Sequence, residues 1–250
     1  RVDTEHTWQF RIDHPDWCLK GRGKHNFNWI YPEVRRERLA LVEEAVNRYD
    51  MDGFEVDYVF DPSYFEEGQV EQNTHIMTAF MRDVSDCVRQ AADKRGRNMA
   101  LGARVLPTLA ANRAVGLDVP AWLKEGMLQF VVPTVYADLQ MDINLPFEWL
   151  LELAHPVGCE VYPALQARVR TTPVRCDTPR TDQHAAHEGE NMAGLEHYRA
   201  GAAAYWSRGG DAIYLPWFKW PIGAEQRQTL SEIHDPDLLG DKSKHYIARP

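Results

Sequence analysis

Strand-like and helix-like segments alternate along most of this chain, and that order restricts its fold more than any other feature. Five short apolar segments bounded by turn residues predict strands, at 54–59, 99–105, 130–136, 160–166 and 212–217. Helical periodicity predicts helices at 33–49, 70–94, 146–155 and 191–207, with a shorter one after Asp118. Parallel strands need a crossover, usually a helix, so the alternation predicts an α/β fold with a parallel sheet.

The strand count and the chain length favour a barrel over an open sheet. A chain of 250 residues has the size of a (β/α)8 TIM barrel, which needs eight strands. With residues 7–11 as a candidate sixth strand, we expect 1–223 to hold the barrel from about its third strand onward, followed by a C-terminal extension at 224–250. The alternative is an open doubly wound sheet, but neither GxGxxG nor GxxxxGK occurs in the chain.

The charge of the chain argues against one class of partner. The net charge is −9 and the isoelectric point is near 5.6, whereas nucleic-acid binding needs a positive field. No apolar run approaches the roughly 18 residues of a membrane-spanning helix, and no signal peptide is recognisable after Arg1. We therefore expect no nucleic-acid or membrane partner. The localisation and the oligomeric state are left open, with a periplasmic or secreted location slightly favoured over a cytoplasmic one.

Two carboxylates on one predicted strand are the strongest candidates for chemistry. Side chains alternate along a strand, so Glu55 and Asp57 share one face, while the apolar residues of the strand share the other. If the apolar face meets the helices, both carboxylates point into the barrel, where burial is costly unless they are bonded or used. Asp57 lies nearer the C-terminal end, where barrel active sites form. The alternative is that the pair only ties the barrel together by bonding to Arg104 or Tyr136.

Five segments resemble the bacterial family-10-like glycosyl hydrolases. The sharpest is YPEVR at 31–35 followed by RYDMDGFEVDY at 48–58, which is similar to that group's hPEVR and RYDVDGIELDF pattern on the third helix and fourth strand of a TIM barrel. HPDW at 14–17, EHYRA at 196–200 and GGDAIYL at 209–215 resemble further elements of the group. The resemblance implies a TIM-barrel glycoside hydrolase with a carbohydrate as its substrate.

Two departures from known mechanisms leave the catalytic pair open. Family 18 chitinases carry DGxDxDxE on an equivalent strand, and their acid would fall at Val59 of this chain. Barrels with paired glutamates place a nucleophile at the end of the seventh strand, where this chain has Gln166, with Glu160 at the opposite end. Neither mechanism therefore transfers directly.

The remaining candidates follow the ends of predicted strands. A glycosidase usually needs a proton donor and a second carboxylate. The loop carboxylates that qualify are Asp61, Asp138, Glu188 and Glu190, of which Asp138 is preferred. Arg104 is placed to hold Asp57 or to bind substrate. Aromatic rings suit the C–H faces of sugars, so the predicted sugar subsite comprises Arg104, Tyr136, Tyr162, Trp217 and Asp61.

The sequence thus predicts a glycoside hydrolase that cleaves a poly- or oligosaccharide by carboxylate acid–base chemistry, without a cofactor or a metal. Asp57 is its first catalytic candidate, with Glu55 and Asp138 as partners. A non-catalytic carbohydrate-binding barrel remains open, as does a metal-dependent barrel hydrolase or isomerase that uses Glu55, Asp57 and a loop histidine. The loop pair of His184 and His187 lacks the flanking helix pattern of HExxH, which argues against a metal.

Overall fold

The computed structural model describes residues 4–21, 23, 26–135, 140–170 and 190–247. The strands are β1 (Gly53–Asp57), β2 (Ala100–Val105), β3 (Phe130–Pro133), β4 (Glu160–Val161), β5 (Arg168–Arg170) and β6 (Glu190–Met192). The helices are α1 (Thr4–Asp13), α2 (Pro32–Arg48), α3 (Val70–Arg95), α4 (Leu109–Ala114), α5 (Val119–Lys124), α6 (Glu148–Ala154), α7 (Leu195–Trp206) and α8 (Ala224–Ile233). Within the described ranges, no helix is both long and apolar enough to cross a membrane.

The strands form a four-stranded sheet in the order β1-β2-β3-β4, and β5 pairs with β6 in an antiparallel hairpin. β1 pairs with β2 in parallel, and the register sets Glu55 beside Gly102 and Asp57 beside Arg104. The chain forms two compact units, of which the first comprises Arg1–Val131 and Leu153–Cys159, and the second Val132–Glu152 and Glu160–Pro250. β1 and β2 both belong to the first unit.

Two long helices support β1 in the first unit. α2 begins at Pro32, because the fixed φ of proline suits the first helical turn. Its buried residues are Val34, Val42 and Val46. α3 ends at Gly96, whose φ of 65° is a left-handed conformation that glycine adopts freely. Just before that end, Arg95 donates hydrogen bonds to the main-chain oxygens of Val46 and Tyr49, at 2.5 and 2.6 Å. The ends of α2 and α3 are thereby joined close to the beginning of β1.

The C-terminal end of β1 is fixed by buried aromatic residues. The Tyr58 ring lies 5.1 Å from the ring of Trp122 in α5, and the Tyr58 hydroxyl lies 3.3 Å from the sulfur of Met81 in α3. The Tyr64 hydroxyl donates to the Tyr58 carbonyl at 2.6 Å. This end of β1 meets the helices through an apolar side chain, as the alternation along the strand predicts.

The second unit is built around α7. Tyr205 is fully buried, and its hydroxyl donates to the main-chain oxygens of Asp142 and Ala164, at 2.5 and 3.3 Å. A Cβ atom at Gly201 would lie 2.5 Å from a methyl group of Leu165, so the glycine lets the helix approach that side chain closely. α8 and the turn at Pro236–Leu239 pack against α7.

The structure confirms the predicted helices at α2, α3, α5, α6 and α7, and the strands β1, β2 and β3, with ends that differ by a few residues. The predicted cap of the short helix is also confirmed, since the Asp118 side chain accepts a hydrogen bond from the Ala121 N–H at 3.2 Å. α4, α8 and the β5–β6 hairpin were not predicted. The boundary between 223 and 224 stays a prediction.

Three other strand predictions are wrong or too long. Residues 7–11 lie in α1, where Gln9 donates to Asp13 one helical turn away at 2.7 Å. The segment 160–166 forms only the two-residue β4 and one bridge at Ala164, since Pro163 has no N–H to donate. The segment 212–217 forms a single parallel bridge, between Tyr214 and Ala164.

Candidate functional site

One arginine bridges the two predicted carboxylates in the first unit. The Arg104 Nε atom donates to Glu55 Oε1 at 2.7 Å, and its Nη1 atom donates to Asp57 Oδ2 at 3.0 Å. The contact follows from the parallel register, which places Arg104 on β2 directly beside Asp57 on β1. The expected contact of Arg104 with Asp57 is therefore present, and the bonding of both carboxylates to Arg104 is also what the purely structural alternative predicts. Their roles in catalysis stay predictions.

Asp57 is held through both of its oxygens. While Oδ2 accepts from Arg104, Oδ1 accepts from the main-chain N–H of Val59 at 2.9 Å. The side chains of Arg104, Glu55 and Asp57 are 19%, 20% and 30% exposed, so they are shielded but remain open to water. Two carboxylates share one guanidinium here, which fixes their orientation and leaves negative charge in excess within the trio.

An aromatic ring lies against Gly102, the register partner of Glu55, and was not predicted. A Cβ atom at Gly102 would lie 2.1 Å from ring carbons of Phe130, so this ring occupies the space that a side chain at position 102 would fill. Gly102 is the register partner of Glu55 and faces the same side of the sheet. The signal that sequence reasoning missed is a glycine at an inward position of β2, which marks close approach by another group.

The loop after β1 is anchored by tyrosines that stay protonated. Burial raises the pKa of Tyr58. Burial, followed by the neighbouring Tyr58, Asp57 and Asp61, raises the pKa of Tyr64 well above its ordinary value. Both tyrosines therefore act as hydrogen-bond donors rather than bases. Asp61 is exposed in the same loop, where its carbonyl accepts from the Ser63 N–H at 2.8 Å.

Two of the predicted subsite aromatics lie in the second unit. The Tyr162 hydroxyl donates to the Glu160 carboxylate, at the beginning of β4. Trp217 is 46% exposed and follows the bridge at Tyr214. Their roles in a sugar subsite stay predictions.

Other predicted residues lie outside the described residues, namely Tyr136, Asp138, Glu188, His184 and His187. Glu190 begins β6. Across the part of the chain that the structure describes, no group of three histidine, cysteine or acidic side chains is arranged to hold a metal ion.

The buried Gln166 side chain donates hydrogen bonds that a glutamate carboxylate could not donate. It is 2% exposed, and its Nε2 group donates to the Thr134 hydroxyl at 3.0 Å and to the Val135 carbonyl at 2.7 Å. A carboxylate has no N–H to offer the Val135 carbonyl, so a glutamate would leave that oxygen without this partner. The glutamine at this position thus has a structural reason, whichever barrel strand β4 corresponds to.

Comparison with known proteins relates the chain to others through its fold. No family model matches the chain, and no curated protein matches it in sequence. Among solved structures, a glycoside hydrolase family 18 N-acetylglucosaminidase from Paenibacillus barengoltzii aligns with a TM-score of 0.54 at 11% identity, over 82% of this chain and 77% of that one. The chitinase ChiA74 from Bacillus thuringiensis aligns with a TM-score of 0.52 at 10% identity, over 82% of this chain and 47% of that one.

These alignments establish the fold. The α/β arrangement with parallel strands is part of a TIM barrel, as the alternating pattern predicts. The chain spans about half the length of the Bacillus thuringiensis chitinase.

Proposed function

We propose that this chain is a glycoside hydrolase domain that cleaves a poly- or oligosaccharide, with Asp57 as its catalytic carboxylate. The observation that carries the proposal is the bridging of Asp57 and Glu55 by Arg104 at the C-terminal ends of β1 and β2. Barrel active sites form at that end of the strands. The two aligned structures are named a glycoside hydrolase family 18 N-acetylglucosaminidase and a chitinase, and membership of the family-10-like group is the finer part of the proposal.

The charge of the trio suits the chemistry of glycoside cleavage. The sugar ring gains positive charge in the oxocarbenium-like transition state. Two carboxylates and one guanidinium give the trio a formal charge of −1, at side chains that are only 19–30% exposed. Asp57 would stabilise the ring or attack it, while Arg104 and the Val59 N–H hold its two oxygens in place. Glu55 shares the guanidinium and acts as the partner carboxylate.

The proton donor must come from a position other than that of family 18. Val59, where the acid of that motif would fall, is a 1% exposed apolar residue. Asp61, two residues further along the loop, and Asp138 are the carboxylates that we propose for this step, with Asp138 preferred.

The decisive test is the Asp57→Asn variant. We expect its release of reducing ends from a polysaccharide panel to fall about a hundredfold or more, because the amide removes the charge while keeping the shape. Asp86→Asn is the matched control, since Asp86 pairs with Arg89 at an exposed site on α3. Equal release by the wild type and both variants would refute the role of Asp57.

A non-catalytic sugar-binding barrel is the second candidate, and the apolar Val59 favours it. This candidate predicts heat of binding in a calorimetric titration with an oligosaccharide, without any reducing ends released in the same mixture. Turnover of the titrated sugar would eliminate it.

A further inference from the structure

The second unit displays two tryptophans in the segment 216–222. Trp220 is 79% exposed and Trp217 is 46% exposed. Tryptophan is highly buried on average, because an indole left in water forgoes the burial of a large apolar surface. Two exposed indoles three positions apart are therefore candidates for a ligand contact.

The segment that carries them is anchored at both ends. Before it, the Tyr214 N–H donates to the Pro163 carbonyl at 3.2 Å, and the Leu165 N–H donates to the Tyr214 carbonyl at 2.9 Å. After it, the Arg227 guanidinium donates to the Ile222 carbonyl at 2.9 Å. A ligand that stacks on the indoles therefore costs little additional ordering of the chain.

The two residues between the tryptophans do not extend the exposed aromatic surface, since one packs inward and the other is charged. Phe218 packs edge-on against the buried Tyr198, with ring centroids 5.5 Å apart and an interplanar angle of 74°. Lys219 is exposed. The core of a protein interface is a continuous patch depleted of charge, whereas a sugar chain offers its C–H faces one ring at a time. Separate indoles on either side of a lysine fit the sugar chain better.

The segment also follows the C-terminal end of a parallel pairing. Tyr214 pairs in parallel with Ala164, so residues 216–222 follow the C-terminal ends of these strands, where barrel proteins bind their substrates. We infer that Trp220, together with Trp217, forms a stacking platform for consecutive rings of a neutral saccharide chain. A polyanionic saccharide is disfavoured by the net charge of −9. The class of ligand rests on the proposed function.

Affinity electrophoresis tests the platform without requiring turnover. The Asp57→Asn protein is run in native gels that contain hydroxyethyl cellulose, xylan or glycol chitin. We expect retardation in at least one gel, binding about threefold to tenfold weaker after Trp220→Ala, and no retardation when Trp217→Ala is added. Tyr49→Ala is the matched control and leaves retardation unchanged, because Tyr49 is a 55% exposed aromatic that precedes β1.

Several results would overturn the platform. These are equal retardation with and without Trp220→Ala, no retardation in any neutral gel, and retardation confined to a polygalacturonate gel. Self-association of the protein that Trp220→Ala abolishes in sedimentation would assign the indoles to a second copy instead. If Asp57→Asn leaves hydrolysis intact while Trp220→Ala weakens retardation, the proposed role of Asp57 fails and the platform stands.

Discussion

Each unit contains an arginine–glutamate pair whose side chains are at most one-fifth exposed, and these two pairs differ in charge balance and in exposure. In the second unit, Arg199 binds Glu232 through two hydrogen bonds, at 2.6 and 3.2 Å, and Lys242 adds a third at 3.3 Å. Arg199 and Glu232 are only 8% and 7% exposed. There, two cations surround one carboxylate.

In the first unit, the ratio among the ion pairs of the described residues is reversed, because Arg104 bridges the carboxylates of Glu55 and Asp57. A carboxylate that is surrounded by donors stabilises the fold but has little capacity left for a ligand. Carboxylates that share one guanidinium and remain partly exposed retain negative charge for a substrate. The comparison separates an ion pair that holds structure from one that, on the proposed function, serves a substrate.

The largest effect on stability is expected from Arg199→Met. Removing one partner leaves the buried Glu232 with incomplete compensation, so the free energy of unfolding should fall by about 3 kcal/mol in chemical denaturation. Arg82→Met is the control, because Arg82 binds Glu125 through two nitrogens at a site that is 40–47% exposed. Its loss should cost about 1 kcal/mol or less. If both variants lost similar free energies of unfolding, the lower exposure of the Arg199–Glu232 pair would not make it more stabilising.

Arg104→Met is expected to reduce activity strongly and stability only modestly. Reducing-end release is expected to fall about a hundredfold, because both carboxylates lose their orientation. The free energy of unfolding should fall by about 1 to 2 kcal/mol, less than for Arg199→Met, because the trio is more exposed. Arg104→Lys should restore only part of the activity, since an ammonium group cannot match the planar fork that reaches Glu55 and Asp57 together. A large loss of stability without loss of activity would make the Arg104 bridge purely structural.

The pH dependence of stability sharpens the comparison further. The hydrogen bond from Arg199, followed by those from Gln228 and Lys242, lowers the pKa of Glu232 from 4.5 to about 2, against the opposing effect of burial. A pKa that is lower in the folded state means that the stabilisation is complete above about pH 4.5 and is lost as the pH falls toward 2. The stability difference between the wild type and Glu232→Gln, measured by denaturation at several pH values, should shrink over that range. Glu125→Gln serves as the exposed control, and a difference that persists at pH 2 would contradict the assignment.

The sequence predicted the residues of the carboxylate site better than their contacts. Strand alternation placed Glu55 and Asp57 on one face, and Arg104 fell at the end of the next strand, because both inferences need only local periodicity. The bridge itself depends on the register between β1 and β2, which no local pattern encodes. Phe130 was missed for the same reason, since its ring reaches Gly102 from a third strand.

Sequence reasoning was weaker where local preference and tertiary context disagree. Residues 7–11 include aromatic and β-branched residues that suit a strand, yet they form part of α1. The segment 160–166 reads as a strand, but Pro163 interrupts its pairing. Asp138 and Tyr136 lie outside the described residues, so the preferred proton donor stays a prediction.

The contact between Gly102 and Phe130 limits how this site can diverge among related proteins. A side chain at position 102 would require the Phe130 ring to move, since both would occupy the same volume next to the register partner of Glu55. The two positions are therefore expected to change together, with a larger residue at 102 accepted most readily once a smaller one has appeared at 130. The shape of the surface that Gly102 and Phe130 form thus depends on the order in which two substitutions arise.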